Sequence, residues 1–282
     1  MFILDVVPLT NIPIGQPQIF SYFSKITLKR GCLVEIPLGQ RKIMAIVLKS
    51  ENISRRKVSL KKADFTLKPI SQIIAGEPIV PPLFFILADF ISRYYFCSIS
   101  LSFKTILPPR IKSLIKYMEN LSENDFPEYF KITTPLKSEE IILRSKKLNL
   151  VNDFSLLAKE IKNHLSQKQQ VLILTPTIFH QNYYADKFSS LFDEKIYIAS
   201  SELKAREFNS LWAQINASQA LLAIGRRSSA FLPWQKLGMI IAVDADNPSY
   251  KSWDQKPYYN AITLINYLSL YYDADIAYYQ NY

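Results

Sequence analysis

The residues with the clearest chemical promise stand at the end of an apolar run, "LGMIIAVDADN" (Leu237 to Asn247), where Asp244 and Asp246 follow a stretch suited to a buried strand. Such strands deliver a magnesium-binding Asp, usually beside a Glu that orients an attacking water. Here the residue after Asp244 is Ala245, a methyl group where a carboxylate would be needed. Asp246 would face the same side as Asp244 if the strand continued. The alternative is a relic strand end without a metal, and that reading is preferred. A nucleotide site also needs a glycine-rich turn, because backbone N–H groups must wrap the phosphates at close range beside a Lys. The chain has 6 Gly, and none lies between Gly76 and Gly225. Lys146 and Lys147 fall in that gap and read as surface charges.

A second kind of chemistry is carried by cations. The net charge is +10, and its distribution is uneven: Met1 to Lys112 holds 16 Lys and Arg against 6 Asp and Glu, whereas Ser113 to Tyr282 holds 18 of each. A basic excess confined to one compact region suggests a footprint for phosphates, with a solvated basic face as the plain alternative. Its members are Lys25, Lys29, Arg30, Arg41, Lys42, Arg55, Arg56, Lys57, Lys61 and Lys62. Arg226 and Arg227 form a separate pair in "GRRSSAFLP", read either as nucleic-acid contacts or as solvated loop residues. Cys32 and Cys97 offer no pairing pattern or metal spacing and read as buried thiols, and His164 and His180 lack the ligand cluster a metal needs. Zinc is not expected. No stretch approaches the ~18 apolar residues of a membrane span, and an acid in "MFILDVVPLT" argues against a secretory signal. A cytoplasmic chain with no membrane partner is expected.

Two kinds of element must position these residues. "ILDVVPL", "IFSYF", "CLVEIPL", "KIMAIVLK" and "LKPISQII" are short strands rich in β-branched and aromatic residues. "IPLGQRKIMAIVL" reads as a hairpin with Gly39 in its turn, and "SRRKVSLKK" (Ser54 to Lys62) as an exposed loop. "PPLFFILADFISRYYF" begins with prolines and has helical apolar spacing, so a mostly β domain closed by a helix is predicted for 1–110. A mixed connector follows over 111–140, with one short helix and several polar breaks. From 141 to 282, fully apolar short strands alternate with helices around 154–166, 181–192, 205–215 and 259–271, the signature of a parallel sheet covered on both faces. The fold class is α/β with two domains. The tyrosines 267, 271, 272, 278, 279 and 282 are read as packing the sheet.

The combination of "PQIFSYF", "LKRGCLVEIPLGQRKIMAIVL", "LKPISQIIAGEPIVPP" and "RYYFCSISLSFKTILPP", followed by "VLILTPTI" and "GRRSSAFLPWQKLGMIIAVDADNPSYKSWDQKPYYNA", resembles the primosomal protein N′ (PriA) family of bacterial replication-restart helicases. The resemblance covers about Met1 to Arg110 and Gln170 to Ile265. It implies a 3′ DNA-binding domain at 1–110 and a partial RecA-like first helicase lobe at 141–282. Carried over by position, a pocket for a terminal nucleotide would comprise Phe20, Ser21, Gly39 and Lys68. Phe20 would supply stacking surface, Gly39 close backbone approach, and Lys68 a contact to a phosphate or base edge. On residue type alone Phe20 fits a core position and Gly39 a turn. Ser21 stands where the family usually has Asp, which weakens the case for end discrimination.

The same resemblance implies a phosphate loop near Leu143 to Leu157, where the chain has no glycine, and a DEEH box where it has Asp244, Ala245, Asp246 and Asn247. It also implies that the chain stops short of a second lobe, an arginine finger and zinc-binding cysteines. The leading expectation is therefore a non-catalytic protein of replication restart that binds forked or 3′-ended DNA, with neither ATP nor magnesium as cofactor. Primosome or single-strand-binding proteins would be further partners. Two alternatives stay open: an ATP-dependent 3′-to-5′ helicase subunit completed in trans, and a primosome adaptor that scarcely binds DNA.

Overall fold

A computed structural model describes residues 1–56, 67–120, 149–151, 153–192, 196–200, 202–217 and 219–280. Its contacts divide the chain into two compact units, Met1–Ile111 and Lys112–Tyr282.

The first unit is built on five strands, β1 (Phe2–Pro8), β2 (Phe20–Ser24), β3 (Leu33–Leu38), β4 (Arg41–Asn52) and β5 (Gln72–Ala75), in the order β2-β1-β4-β3-β5. All pairings are antiparallel. The predicted strand at Leu67 to Ile74 is shorter than expected, since Pro69 lacks an N–H for a ladder. Its first part instead bridges to β2: Phe23 N donates to Lys68 O (3.0 Å) and Ile70 N to Phe23 O (3.1 Å). Ser71 N then donates to Glu35 O on β3 (2.7 Å), so one segment is bonded to both edges and the sheet closes on itself. Leu4, Val6, Tyr22, Val34, Ile36, Ala45 and Val47 fill the interior, with Phe20 packed against them. Ile3, Val7, Leu33 and Ile46 are buried too. They alternate with that set and so lie on the outer face.

Two helices cover this barrel, where one was expected. α1 (Pro82–Tyr94) starts on its prolines as predicted, and α2 (Ile99–Ile106) follows, with Ser98 Oγ accepting from Leu101 N (3.2 Å) as its N-cap. Phe85 of α1 meets Phe103 of α2 edge-on at 5.3 Å. The expected loop at Ser54 to Lys62 begins as a 3-10 turn, Ile53–Arg56, and its residues from 57 onward lie outside the described residues.

The second unit opens with α3 (Ile111–Glu119). Its parallel sheet comprises β6 (Asn149–Val151), β7 (Gln170–Leu174), β8 (Ile196–Ala199), β9 (Leu221–Gly225), β10 (Leu237–Val243) and β11 (Asp275–Tyr279), in the order β6-β11-β10-β7-β9-β8. Between them run α4 (Phe154–Ser166), α5 (Ile178–Ser189), α6 (Ala205–Asn216) and α7 (Ala261–Tyr272). Every residue of β7, β9 and β10 is buried, which only a sheet covered on both faces produces. On one face Leu157, Ile161, Tyr184 and Phe188 pack against Val171, Ile173, Ile241 and Val243. Tyr267, Tyr278 and Tyr279 are buried, in keeping with packing rather than display.

Candidate nucleic-acid interface and sheet edge

Phe20 and Ser21 are consecutive residues of β2, opposite Val6 and Asp5 on β1. Successive strand side chains point to opposite faces. Phe20 is half-buried against the barrel interior, while Ser21 Oγ donates to Asp5 Oδ1 at 2.7 Å on the other face. Lys68 is exposed, and its carbonyl is bonded to β2 three residues from Phe20. Gly39 sits at the β3–β4 turn with φ +60°, a left-handed conformation that suits glycine, and a Cβ there would meet open space. Tyr22 Oη donates to Pro37 O (2.8 Å) and so ties β2 to the approach to that turn.

The cations around this barrel differ in how committed they are. Lys25, Arg41 and Arg55 are exposed. Lys29 pairs with Glu77 at 3.1 Å and Lys42 approaches Glu35 at 3.9 Å, both as exposed ammonium groups that water still screens. Arg30 lies over the Phe85 ring at 4.1 Å, and burial lowers its pKa from the ordinary value. Lys57, Lys61 and Lys62 lie outside the described residues, as do Lys146 and Lys147. Arg56 ends the 3-10 turn. Cys32 is buried, its thiol pushed up to about 11 by desolvation, and Cys97 is only half-buried, where a buried thiol was expected.

At the C-terminal edge of the parallel sheet the acids are engaged. β10 ends at Val243, and Asp244 takes φ +46° and turns the chain, with Asn247 N donating to Asp244 O (2.9 Å). The strand does not continue, so the shared facing expected of Asp244 and Asp246 does not arise. Asp244 Oδ2 meets His180 Nε2 at 3.1 Å, and His180 Nδ1 lies 2.7 Å from Thr177 Oγ1. Gln280 Nε2 donates to Asp246 Oδ2 at 3.4 Å. The second histidine, His164, likewise lies between Gln169 and Asp275. Among the described residues no group of three or more His, Cys, Asp or Glu is placed to hold a metal ion. No helix of the described residues is long and apolar enough to cross a membrane.

Where a phosphate loop would join strand to helix, β6 ends at Val151 and α4 begins at Phe154, so the connection is residues 152 and 153 alone. Asp153 caps α4, its Oδ1 accepting from Ser155 N (2.8 Å) and Leu156 N (3.3 Å). These bonds, with one from the Ser155 hydroxyl as the largest cause, hold its pKa below the ordinary value. The N–H groups that could greet an anion thus already face a carboxylate.

Arg226 is half-buried, and Arg227 donates to Lys251 O (3.1 Å) and to Asp254 Oδ1 (3.2 Å). The preceding Gly225 is required for close packing, since a Cβ there would fall 1.8 Å from Ser229 Oγ. The sequence reading missed Trp253, which is 62% exposed with Lys251 Nζ 4.0 Å above its ring, and Tyr258, 47% exposed. The signal for them was the interleaving of basic and aromatic residues in "YKSWDQKPYY".

A family model described as the 3′DNA-binding domain (3′BD) of PriA matches residues 7–108. Some curated relatives align over most of the chain and others over its first third. The replication restart protein PriA of Helicobacter pylori is 27% identical over 95% of this chain and 41% of its own length. That of Rickettsia typhi is 28% identical over 84% of this chain and 36% of its own length. That of Buchnera aphidicola is 34% identical, over 35% of this chain and 14% of its own length. The chain thus spans less than half the length of these relatives.

Proposed function

Because the chain belongs to the PriA family of replication restart proteins, we propose that it binds forked or 3′-ended DNA through its first unit and that its parallel-sheet unit serves as a scaffold without ATP hydrolysis. The observation that carries the binding half is a coincidence of boundaries. The match to a 3′DNA-binding domain at 7–108 fills the compact unit Met1–Ile111, the part of the chain that also holds nearly all of the basic excess. Exposed Lys25, Arg41 and Arg55 supply phosphate contacts, the term that usually dominates affinity for nucleic acid. Phe20, Ser21, Gly39 and Lys68 are proposed for the terminal-nucleotide site from their positions in the family pattern, although Phe20 and Ser21 lie on opposite faces of β2. Trp253 and Tyr258 add aromatic surface in the second unit.

Three features support the loss of hydrolysis. The β6–α4 connection has two residues where a phosphate loop needs about eight. The residue that would orient water is Ala245, and Asp244 is bonded to His180. A magnesium ion at that position would have to displace the imidazole first. Primosome and single-strand-binding proteins are proposed as partners.

Fluorescence anisotropy tests the reading: a fork with a free 3′-OH at its junction against one with a 3′-phosphate, at two salt concentrations. Tighter binding of the hydroxyl fork, reduced by Phe20→Ala or Lys68→Ala, supports end reading. Equal, salt-sensitive binding of both would leave a general basic DNA-binding unit, and no binding would sink the proposal.

A further inference from the structure

The run "FISRYYFC" (Phe90 to Cys97) places four aromatic residues where α1 ends. The helix buries Phe84, Leu87, Ala88 and Ile91, a stripe at helical spacing. Phe90 and Tyr94, four residues apart, form a separate row: their rings stack at 5.3 Å, and Tyr94 is 57% exposed. Tyr95 meets Tyr94 edge-on at 4.9 Å. The helix then stops in a Schellman cap, with Cys97 N donating to Ser92 O (3.1 Å) and Ser92 Oγ to Cys97 O (2.7 Å). Such a cap puts the residue before Cys97 in the left-handed conformation, where glycine is usual. Here that residue is Phe96, at φ +49° and 86% exposed. A single exposed apolar side chain is ordinary. A bulky ring that is strained at the backbone and held out in water, beside a second exposed ring, contributes nothing to the fold on either count.

We propose that Tyr94 and Phe96 form a base-stacking platform for single-stranded DNA, made of residues other than those proposed for the terminal nucleotide. The inference rests on the reading above that the first unit binds DNA. Charge selects the occupant. From Phe90 to Ile111 the chain carries Arg93, Lys104 and Arg110 and no acid. Lys104 and Arg110 are exposed, and Arg93, though 2.9 Å from Asp89, keeps an exposed guanidinium. Rings followed by cations suit a ligand that alternates flat bases with phosphates, the arrangement by which single strands are held without regard to sequence. A duplex keeps its bases stacked on one another and offers such rings no face. The helix end also holds the platform still: Phe90 backs the Tyr94 ring, and the two cap bonds fix the backbone on either side of Phe96. Little freedom is then lost when a base arrives.

The test removes bases while keeping phosphates. Anisotropy affinities of the full chain are measured for a duplex with a 3′ tail of about ten thymidines, and for the same duplex whose tail is abasic except at its last nucleotide. The unsubstituted chain binds the thymidine tail about tenfold tighter. In the double variant Tyr94→Ala, Phe96→Gly that preference disappears, while affinity for the abasic tail and its salt dependence stay as they were. Phe96→Gly relieves the left-handed strain, so its unfolding temperature should not fall. Should the double variant not fold, Phe96→Leu decides: it keeps apolar surface and lacks a π face, so loss of the preference supports stacking and its persistence overturns it. A preference that survives the double variant places stacking on other aromatic residues and overturns the inference. Equal binding of the two tails by the unsubstituted chain overturns it as well. Failure to bind any of these DNAs would sink the DNA-binding reading itself, an outcome distinct from binding without regard to bases.

Discussion

The two units handle charge in opposite ways. In the barrel Lys25, Arg41 and Arg55 reach into solvent, and even the paired Lys29 and Lys42 keep exposed ammonium groups. At the edge of the parallel sheet the chain answers its own charges: Asp244 has His180, Asp246 has Gln280, Arg227 has Asp254, and the first turn of α4 has Asp153. A surface built to meet a polyanion keeps cations available, since an ion pair must be broken before a phosphate can replace it. The edge of the parallel sheet does the reverse. The contrast fits the proposal that one unit binds and the other serves as a scaffold.

The sharpest way to break that contrast is to reverse charge in the barrel. The triple substitution Lys25→Glu, Arg41→Glu, Arg55→Glu is expected to lower fork affinity about a hundredfold and to flatten the slope of log K against log salt by about three units, with unfolding temperature nearly unchanged. Anisotropy titrations at several salt concentrations read both. An unchanged slope would mean that these cations do not meet DNA, and the comparison would lose its first half.

Next in size is an effect confined to the second unit. Gly225→Ala would place a Cβ 1.8 Å from Ser229 Oγ and 2.9 Å from the Ala199 carbonyl. Overpacking of this kind costs about 1–3 kcal/mol. Calorimetry should show a lowered transition for the sheet unit while affinity for the fork holds. A smaller loss is expected for His180→Ala, which strips Asp244 of its imidazole partner beside the buried Tyr184 and Tyr250. About 1 kcal/mol in denaturant unfolding is the scale for such a bond. A rise in stability on adding magnesium to this variant would show that the imidazole had been standing in for a cation.

The same contrast explains what could be read before the structure. Apolar runs such as "VLIL" and "GMIIAV" have no polar alternation, so β7 and β10 could only be buried on both faces, and the parallel sheet followed. The second helix of the barrel escaped because "SISLSFKTI" mixes serines with apolar residues, and its start depends on a single cap at Ser98. β6 has three residues, too few for any period to show. At the site, residue types were legible and partners were not. Nothing local in "FSYF" reveals that Ser21 faces Asp5, because the pairing is set by the register of strands 16 residues apart. Likewise "VDAD" reads as a strand that carries on, and the turn at Asp244 appears only once His180 and Tyr279 are in place to receive it.

The smallest expected effect is none at all, and it bears most directly on the second unit. A ligand that binds the folded state at a hundred times its Kd raises stability by about 2.7 kcal/mol, a shift of several degrees in a thermal scan. Magnesium with ATP should produce no such shift here, because each requirement of the site fails for its own reason. Two residues between β6 and α4 cannot wrap a triphosphate, the helix end that would face it already holds the Asp153 carboxylate, and Asp244 is committed to His180. These obstacles are independent, so relieving one leaves the others: His180→Ala should remain silent to nucleotide even though it frees the Asp244 carboxylate. A nucleotide-dependent shift in the unsubstituted chain would erase the difference between the two units and return the sheet edge to service as a working site. A shift confined to His180→Ala would locate the block in that one imidazole and make the short connection irrelevant.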